Sequence, residues 1–128
     1  MHMSRAQLDD FITRYVGMWH ERDPRRRRDI VRELWAEDAE NITSRHVARG
    51  SAEITERVAR AHEEWVASKG FVFRPVGDAD THNNLVKLFW EMLPRDGGRV
   101  EACGLDIFVL NDHGRIQSLY QFGEPLRT

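Results

Sequence analysis

Residues 104–122, GLDIFVLNDHGRIQSLYQF, constrain this chain more than any other stretch. Leu105, Ile107 and Val109 alternate with Asp106, Phe108 and Leu110. Asn111, Asp112, His113 and Gly114 then supply turn residues, and Ile116, Ser118, Tyr120 and Phe122 resume the alternation. The pattern predicts two strands joined by a tight loop. Asp106 is out of place in it. Its neighbours at period two are Gly104 and Phe108, so its carboxylate points to the same side as apolar groups. A charge there must be paired, neutralised or turned to a water-filled cavity.

The first half of the chain is helical. Ser4 and Gln7 have the capping-box spacing, and Leu8, Phe11, Ile12, Tyr15, Val16 and Trp19 recur at helical intervals up to His20. Asp23 and Pro24 open a second helix. Its stripe is Ile30, Val31, Leu34 and Trp35, and it closes over Glu37, Asp38 and Ala39. The basic run 25–28 could hold phosphate, but acidic residues follow at once and four cations oppose the dipole at a helix start, so it reads as a solvated face. Residues 41–48 are weakly strand-like. Ser51 caps a third helix with the stripe Ile54, Val58, Ala61, His62 and Trp65, which Lys69 and Gly70 end.

Strands follow. Residues 71–81 are broken by Pro75 and Gly77, as in an edge strand or bulge. Asn83 and Asn84 suit a two-residue hairpin. Residues 85–93 turn Val86, Leu88, Trp90 and Met92 to one face, and two more strands cover 100–110 and 115–122. Helices followed by a run of strands argue an α+β domain over 4–125, with three helices packed on one face of a strongly curved antiparallel sheet. That arrangement is a cone with an internal pocket. Met1, His2 and Met3 read as a cloning remnant or disordered start.

Composition narrows the function classes. The 128 residues are 41% hydrophobic and 31% charged, as in a soluble globular protein with one core. A net charge of -2 gives no support to nucleic-acid binding. No apolar run reaches membrane-spanning length and no signal-type segment opens the chain, so a cytoplasmic location is expected. One cysteine, Cys103, excludes an internal disulfide framework and a cysteine-rich zinc site.

Element order and three local stretches resemble the nuclear-transport-factor-2-like superfamily, with its SnoaL-like polyketide cyclases and ketosteroid isomerases. The stretches are Arg14-Tyr15-Val16, Leu34-Trp35-Ala36-Glu37-Asp38-Ala39, and Leu105-Asp106-Ile107-Phe108 followed by His113-Gly114-Arg115-Ile116. The resemblance implies a cystatin-like roll and no cofactor or metal. It aligns Tyr15 and Asp106 with the tyrosine and aspartate that share an oxyanion hole in ketosteroid isomerases. Their catalytic base aligns with Thr43, which cannot abstract a proton at neutral pH. SnoaL-like cyclases use a cavity aspartate as acid/base, and Asp106 is the candidate for that role.

Each candidate has a structural alternative. Asp106 is a general acid/base, or a carboxylate bonded to Tyr15, Tyr120 or a histidine. Tyr15 donates to a ligand oxygen, or is a core tyrosine. His62 replaces the missing base, or is a satisfied core-edge histidine; His46 is a more distant candidate. Trp19, Trp35, Trp65 and Trp90, with Phe108, Tyr120 and Phe122, line a pocket for a small apolar or aromatic molecule, or fill the core. Asp78, Asp80 and His82 share a strand face, where cross-strand pairing of Asp80 with Lys87 and His82 with Leu85 is favoured over a metal site. Leu105, Ile107, Val109, Leu85 and Phe89 form an apolar outer sheet face, which predicts a homodimer. Three functions remain: a cyclase, isomerase or dehydratase; a ligand-binding protein without chemistry; or a dimeric interaction module.

Overall fold

The computed structural model describes residues 3–126. Met1 and His2 of the expected remnant lie outside the described residues. Helix α1 (Arg5–His20) starts with the expected capping box: the Ser4 hydroxyl accepts from the Gln7 N–H and the Gln7 amide oxygen accepts from the Ser4 N–H, at 3.1 and 2.9 Å. It buries Leu8, Phe11, Tyr15 and Met18. Helix α2 (Pro24–Leu34) is capped by Asp23, which accepts from the Arg25 N–H at 2.9 Å. The basic run at its start is not wholly solvated. Arg27 lies one turn before Val31 and is itself buried. Helix α3 (Gly50–Ala61) begins one residue before the expected Ser51 cap. The Glu53 carboxylate accepts from the Arg49 N–H there instead, at 3.0 Å. It runs on as a π-helical segment, His62–Ser68, and stops at Gly70, whose φ is +70°.

The sheet contains β1 (Trp35–Ile42), β2 (Val47–Arg49), β3 (Phe71–Pro75), β4 (Asp80–His82), β5 (Leu85–Pro94), β6 (Ala102–Leu110) and β7 (Ile116–Glu124). Their order is β2-β1-β7-β6-β5-β3, with β4 also on β5. Two expectations are corrected. Helix α2 ends at Leu34, and the residues expected to close it form β1. Alanine and glutamate favour helix, but burial of Trp35, Ala36, Ala39 and Asn41 in the sheet overrides propensity. The sheet is therefore mixed, not wholly antiparallel: the last strand returns beside β1 and pairs with it in parallel. The Asn83-Asn84 turn is as expected, with Asn83 at φ 52°, Asp80 opposite Lys87 and His82 opposite Leu85.

A bulge in β7 decides which side chains enter the interior. Val109 pairs with Ser118, but Leu110 pairs with Ile116, so Gln117 is an extra residue. Ile116 is buried, and unbroken alternation from it would turn Ser118, Tyr120 and Phe122 inward. The bulge reverses the parity. Leu119 is buried, Gln121 faces the interior, and Tyr120 and Phe122 are 41% and 50% exposed on the outer face. Their expected place in the pocket is thereby corrected. The helices cover the inner face, where Phe11, Ile54, Val58, Val86, Leu88 and Phe108 join one core.

Candidate functional site

A cavity of about 200 Å³ lies between the helices and the inner sheet face. Asp106 of β6 stands on its floor, 2% exposed. The Tyr15 hydroxyl of α1 donates to Asp106 Oδ2 at 2.7 Å. The Trp90 indole of β5 and the Gln121 amide of β7 donate to Oδ1 at 3.0 and 3.3 Å. An ionised carboxylate offers about four lone-pair sites, so three donors leave one unfilled.

A second layer fixes the first. Arg57 of α3 donates through Nε to Asn41 Oδ1 at 2.6 Å and through Nη2 to Gln121 Oε1 at 2.8 Å. Asn41 Nδ2 also donates to Gln121 Oε1, at 2.9 Å. With two donors on its oxygen, the Gln121 amide must turn its NH₂ to Asp106. Helical spacing then sets the wall: Arg57, Ala61 and Trp65 follow at intervals of four along α3 and its π-helical continuation, while Tyr15 and Trp19 are one turn apart on α1.

Burial pushes the Asp106 carboxyl up to about 6, against the pull of its three hydrogen bonds and of the Arg57 charge. Burial, and then the Asp106 charge, hold the Tyr15 hydroxyl well above its ordinary value, so it remains a donor at any physiological pH. Burial also lowers Arg57 from its ordinary value. The site thus combines a carboxylate poised to change charge near neutrality with a phenol that stays protonated.

Of the residues expected to form a site, the structure brings Asp106, Tyr15, Trp19, Trp65 and Trp90 to the cavity. Trp35 is fully buried elsewhere, its indole N–H 3.2 Å from the Met18 sulfur. Phe108 lies beneath the site, edge-on to Tyr15 at 4.7 Å. His62 is buried with Nδ1 2.9 Å from the Trp19 carbonyl oxygen; the carbonyl cannot donate, so the ring N–H does, and His62 does not line the cavity. His46 is exposed, and Thr43 sits in the β1–β2 turn with its hydroxyl bonded to the His46 carbonyl at 3.2 Å. Arg57, Gln121 and Asn41 carry the second layer and escaped the sequence reading. Arg57 falls between Ile54 and Val58 on a stripe read as apolar, and Gln121 is reached only through the bulge.

Gly104 explains how Trp90 reaches Asp106. It faces inward opposite Trp90, and a Cβ there would lie 2.3 Å from the indole ring and 2.5 Å from the Phe122 carbonyl oxygen. The bare backbone lets the ring lie across β6. Gly104→Ala is expected to expel Trp90 from its bond with Asp106, at a cost of about 1–3 kcal/mol. Thermal melting and tryptophan fluorescence check this; an unchanged melt and spectrum would show that the ring is free to move aside.

Among solved structures, a SnoaL-like family protein of Agrobacterium tumefaciens, described as a suggested isomerase, shares 28% identity. The match covers 94% of this chain and 99% of that one, with a TM-score of 0.83. A suggested polyketide cyclase of Sinorhizobium meliloti shares 18% identity over 93% of this chain and 99% of its own, with a TM-score of 0.68. A de novo designed protein of the same fold shares 17% identity over 98% of this chain and 90% of its own, with a TM-score of 0.74. No family model matches the chain, and no curated protein sequence matches it. The chain thus shares its fold with SnoaL-like and nuclear-transport-factor-2-like proteins. A fold that can also be built by design does not fix an activity, so function must be argued from the cavity.

Proposed function

We propose that this protein is a cofactor-free acid/base enzyme of the isomerase, cyclase or dehydratase kind, acting on a small apolar or aromatic carbonyl compound. One observation carries the reading: Asp106 is buried on the cavity floor with three donors and one lone-pair site to spare. Asp106 takes a proton from carbon next to the carbonyl. The C–H electron pair moves into an enolate, and the proton returns at the same or another carbon. Once protonated, Asp106 no longer needs the donor from Tyr15, and the hydroxyl turns to the enolate oxygen. The cavity, at about 200 Å³, is smaller than the roughly 300–1,000 Å³ of drug-sized sites, which favours one ring over a polycycle.

Deuterium uptake by phenylacetone in D₂O, followed by NMR, tests the reaction class. Uptake above the uncatalysed rate is expected. A second reading, a binding protein without chemistry, draws on the threonine at the position of the family's base and on Asp106 being, among the described residues, the one carboxylate lining the cavity. Saturable binding of small aryl ketones with no protein-dependent exchange of any of them would favour that reading and sink the first.

The outer sheet face supports a homodimer. Phe89, Leu105 and Phe122 lie side by side across three strands, and Ile107 and Tyr120 continue the patch. Phe89, Tyr120 and Phe122 are among the exposed large hydrophobics. A sedimentation coefficient of a dimer is expected for the wild type, and of a monomer for Phe122→Asp; a monomeric wild type overturns the assignment. Among the described residues no helix is long and apolar enough to cross a membrane.

A further inference from the structure

Arg57 is held in a way that leaves one face of its guanidinium open. A guanidinium presents five N–H donors on two forked edges. The side edge, Nε with one Nη2 hydrogen, is filled by the amide oxygens of Asn41 and Gln121 at 2.6 and 2.8 Å. Those bonds turn the side edge toward β1 and β7. The end edge, formed by Nη1 and the other Nη2 hydrogen, donates to no protein oxygen among the described residues. Arg57 lines the cavity, and no ion pair within 4.0 Å neutralises it among the described residues. Arg74, the other cation on the cavity wall, is already paired with Glu91. Arg57 therefore has no direct ion-pair partner, although its charge also bears on Asp106, and it keeps a planar pair of donors. Two neutral amides hold it at fixed orientation beside an aromatic wall of Trp19, Trp65, Phe73 and Trp90.

We propose that the end edge of Arg57 is a carboxylate subsite, and that the ligand is a small aryl-substituted carboxylic acid bound with its ring among the tryptophans. The parallel N–H pair of the end edge matches the two oxygens of a carboxylate in a bidentate contact, which a neutral carbonyl cannot reproduce. Amide ligation of the side edge fits this role. A carboxylate there would have cancelled the charge, whereas amides orient the fork and leave the charge for the ligand. The apolar wall takes a ring and excludes water from the ion pair, strengthening it. This inference rests on the cavity being a ligand site, as proposed above, and adds the charge and group that the site selects.

The test compares phenylacetate with phenylacetamide, two ligands of nearly one shape, by calorimetry and by quenching of tryptophan fluorescence. Phenylacetate is expected to bind the wild type at least tenfold more tightly than the amide. Arg57→Lys, which keeps the charge and loses the fork, is expected to lose about tenfold for the acid and little for the amide. Equal affinities for acid and amide, or no saturable binding of the acid, overturn the subsite. The comparison on the wild type stands even where the variant folds poorly. The readout is also separable from the proposed chemistry: acid preference without carbon-acid exchange removes the enzyme reading and keeps the subsite, and exchange without acid preference does the reverse.

Discussion

Asp106→Asn is expected to lower carbon-acid exchange by roughly 10²- to 10⁴-fold while the chain still folds. The substitution keeps the shape of the side chain and removes its capacity to hold a proton. The amide oxygen of the substituted side chain can still accept from Tyr15, the partner of Asp106 Oδ2 at 2.7 Å. Its NH₂ group then meets the Trp90 and Gln121 donors that in the wild type serve Oδ1. Gln121 cannot turn its oxygen to relieve the clash, because that oxygen is bonded by Arg57 and Asn41. One or two donors are left without an acceptor, at about 1–3 kcal/mol, which is offset in part by removing a buried charge. A folded but inactive variant is thus the expected pairing of results, read from NMR exchange and from a circular-dichroism melt on the same sample. In the wild type the exchange rate should follow the ionised fraction of Asp106, half-maximal near pH 6 and flat above it. A variant that exchanges deuterium as fast as the wild type would show that Asp106 is not the base.

The sequence exposes Asp106 because a carboxylate in an alternating apolar strand has few permitted environments, and burial is one of them. It exposes Tyr15 and Trp19 because helical spacing puts them on the stripe that meets the sheet. The layer that orients Asp106 is hidden for an identifiable reason in each case. Gln121 enters the cavity only because Gln117 bulges out, and the sequence from Ile116 to Phe122 carries no glycine or proline to announce it. Asn41 belongs to a strand whose alanines and glutamates favour helix, and the strand exists through pairing with β2 and β7. Arg57 is a cation within an apolar stripe and reads as a solvated neighbour of it. His62 misleads in the opposite sense: its position on the stripe suggested the cavity, but its ring is taken up by the Trp19 carbonyl. Local pattern therefore reveals the group that holds the proton. The groups that fix its orientation depend on register and on contacts far apart in the chain.

The stability of the wild type relative to Asp106→Asn is expected to fall as pH rises from 4 to 7. Burial raises the folded-state value of Asp106 from 3.8 to about 6, so the folded chain holds a proton there that the unfolded chain has already lost. Stability falls with pH wherever the folded state binds more protons. The contribution of the protonated carboxyl is fully present below about pH 4 and is lost as pH rises through about 6. At about 1.4 kcal/mol per unit, that shift amounts to on the order of 3 kcal/mol. The surface carboxylates and the histidines titrate in both chains and cancel in the difference, while residue 106 titrates in only one. Urea unfolding of the two proteins at several pH values between 4 and 7 measures it directly. A difference that stays flat across this range would mean that Tyr15, Trp90, Gln121 and Arg57 together compensate the buried charge, returning Asp106 to an ordinary carboxylate. A fall of the expected size would mean that the fold pays a standing cost for a carboxylate ready to take a proton near neutral pH, which a purely structural group in that position would not require.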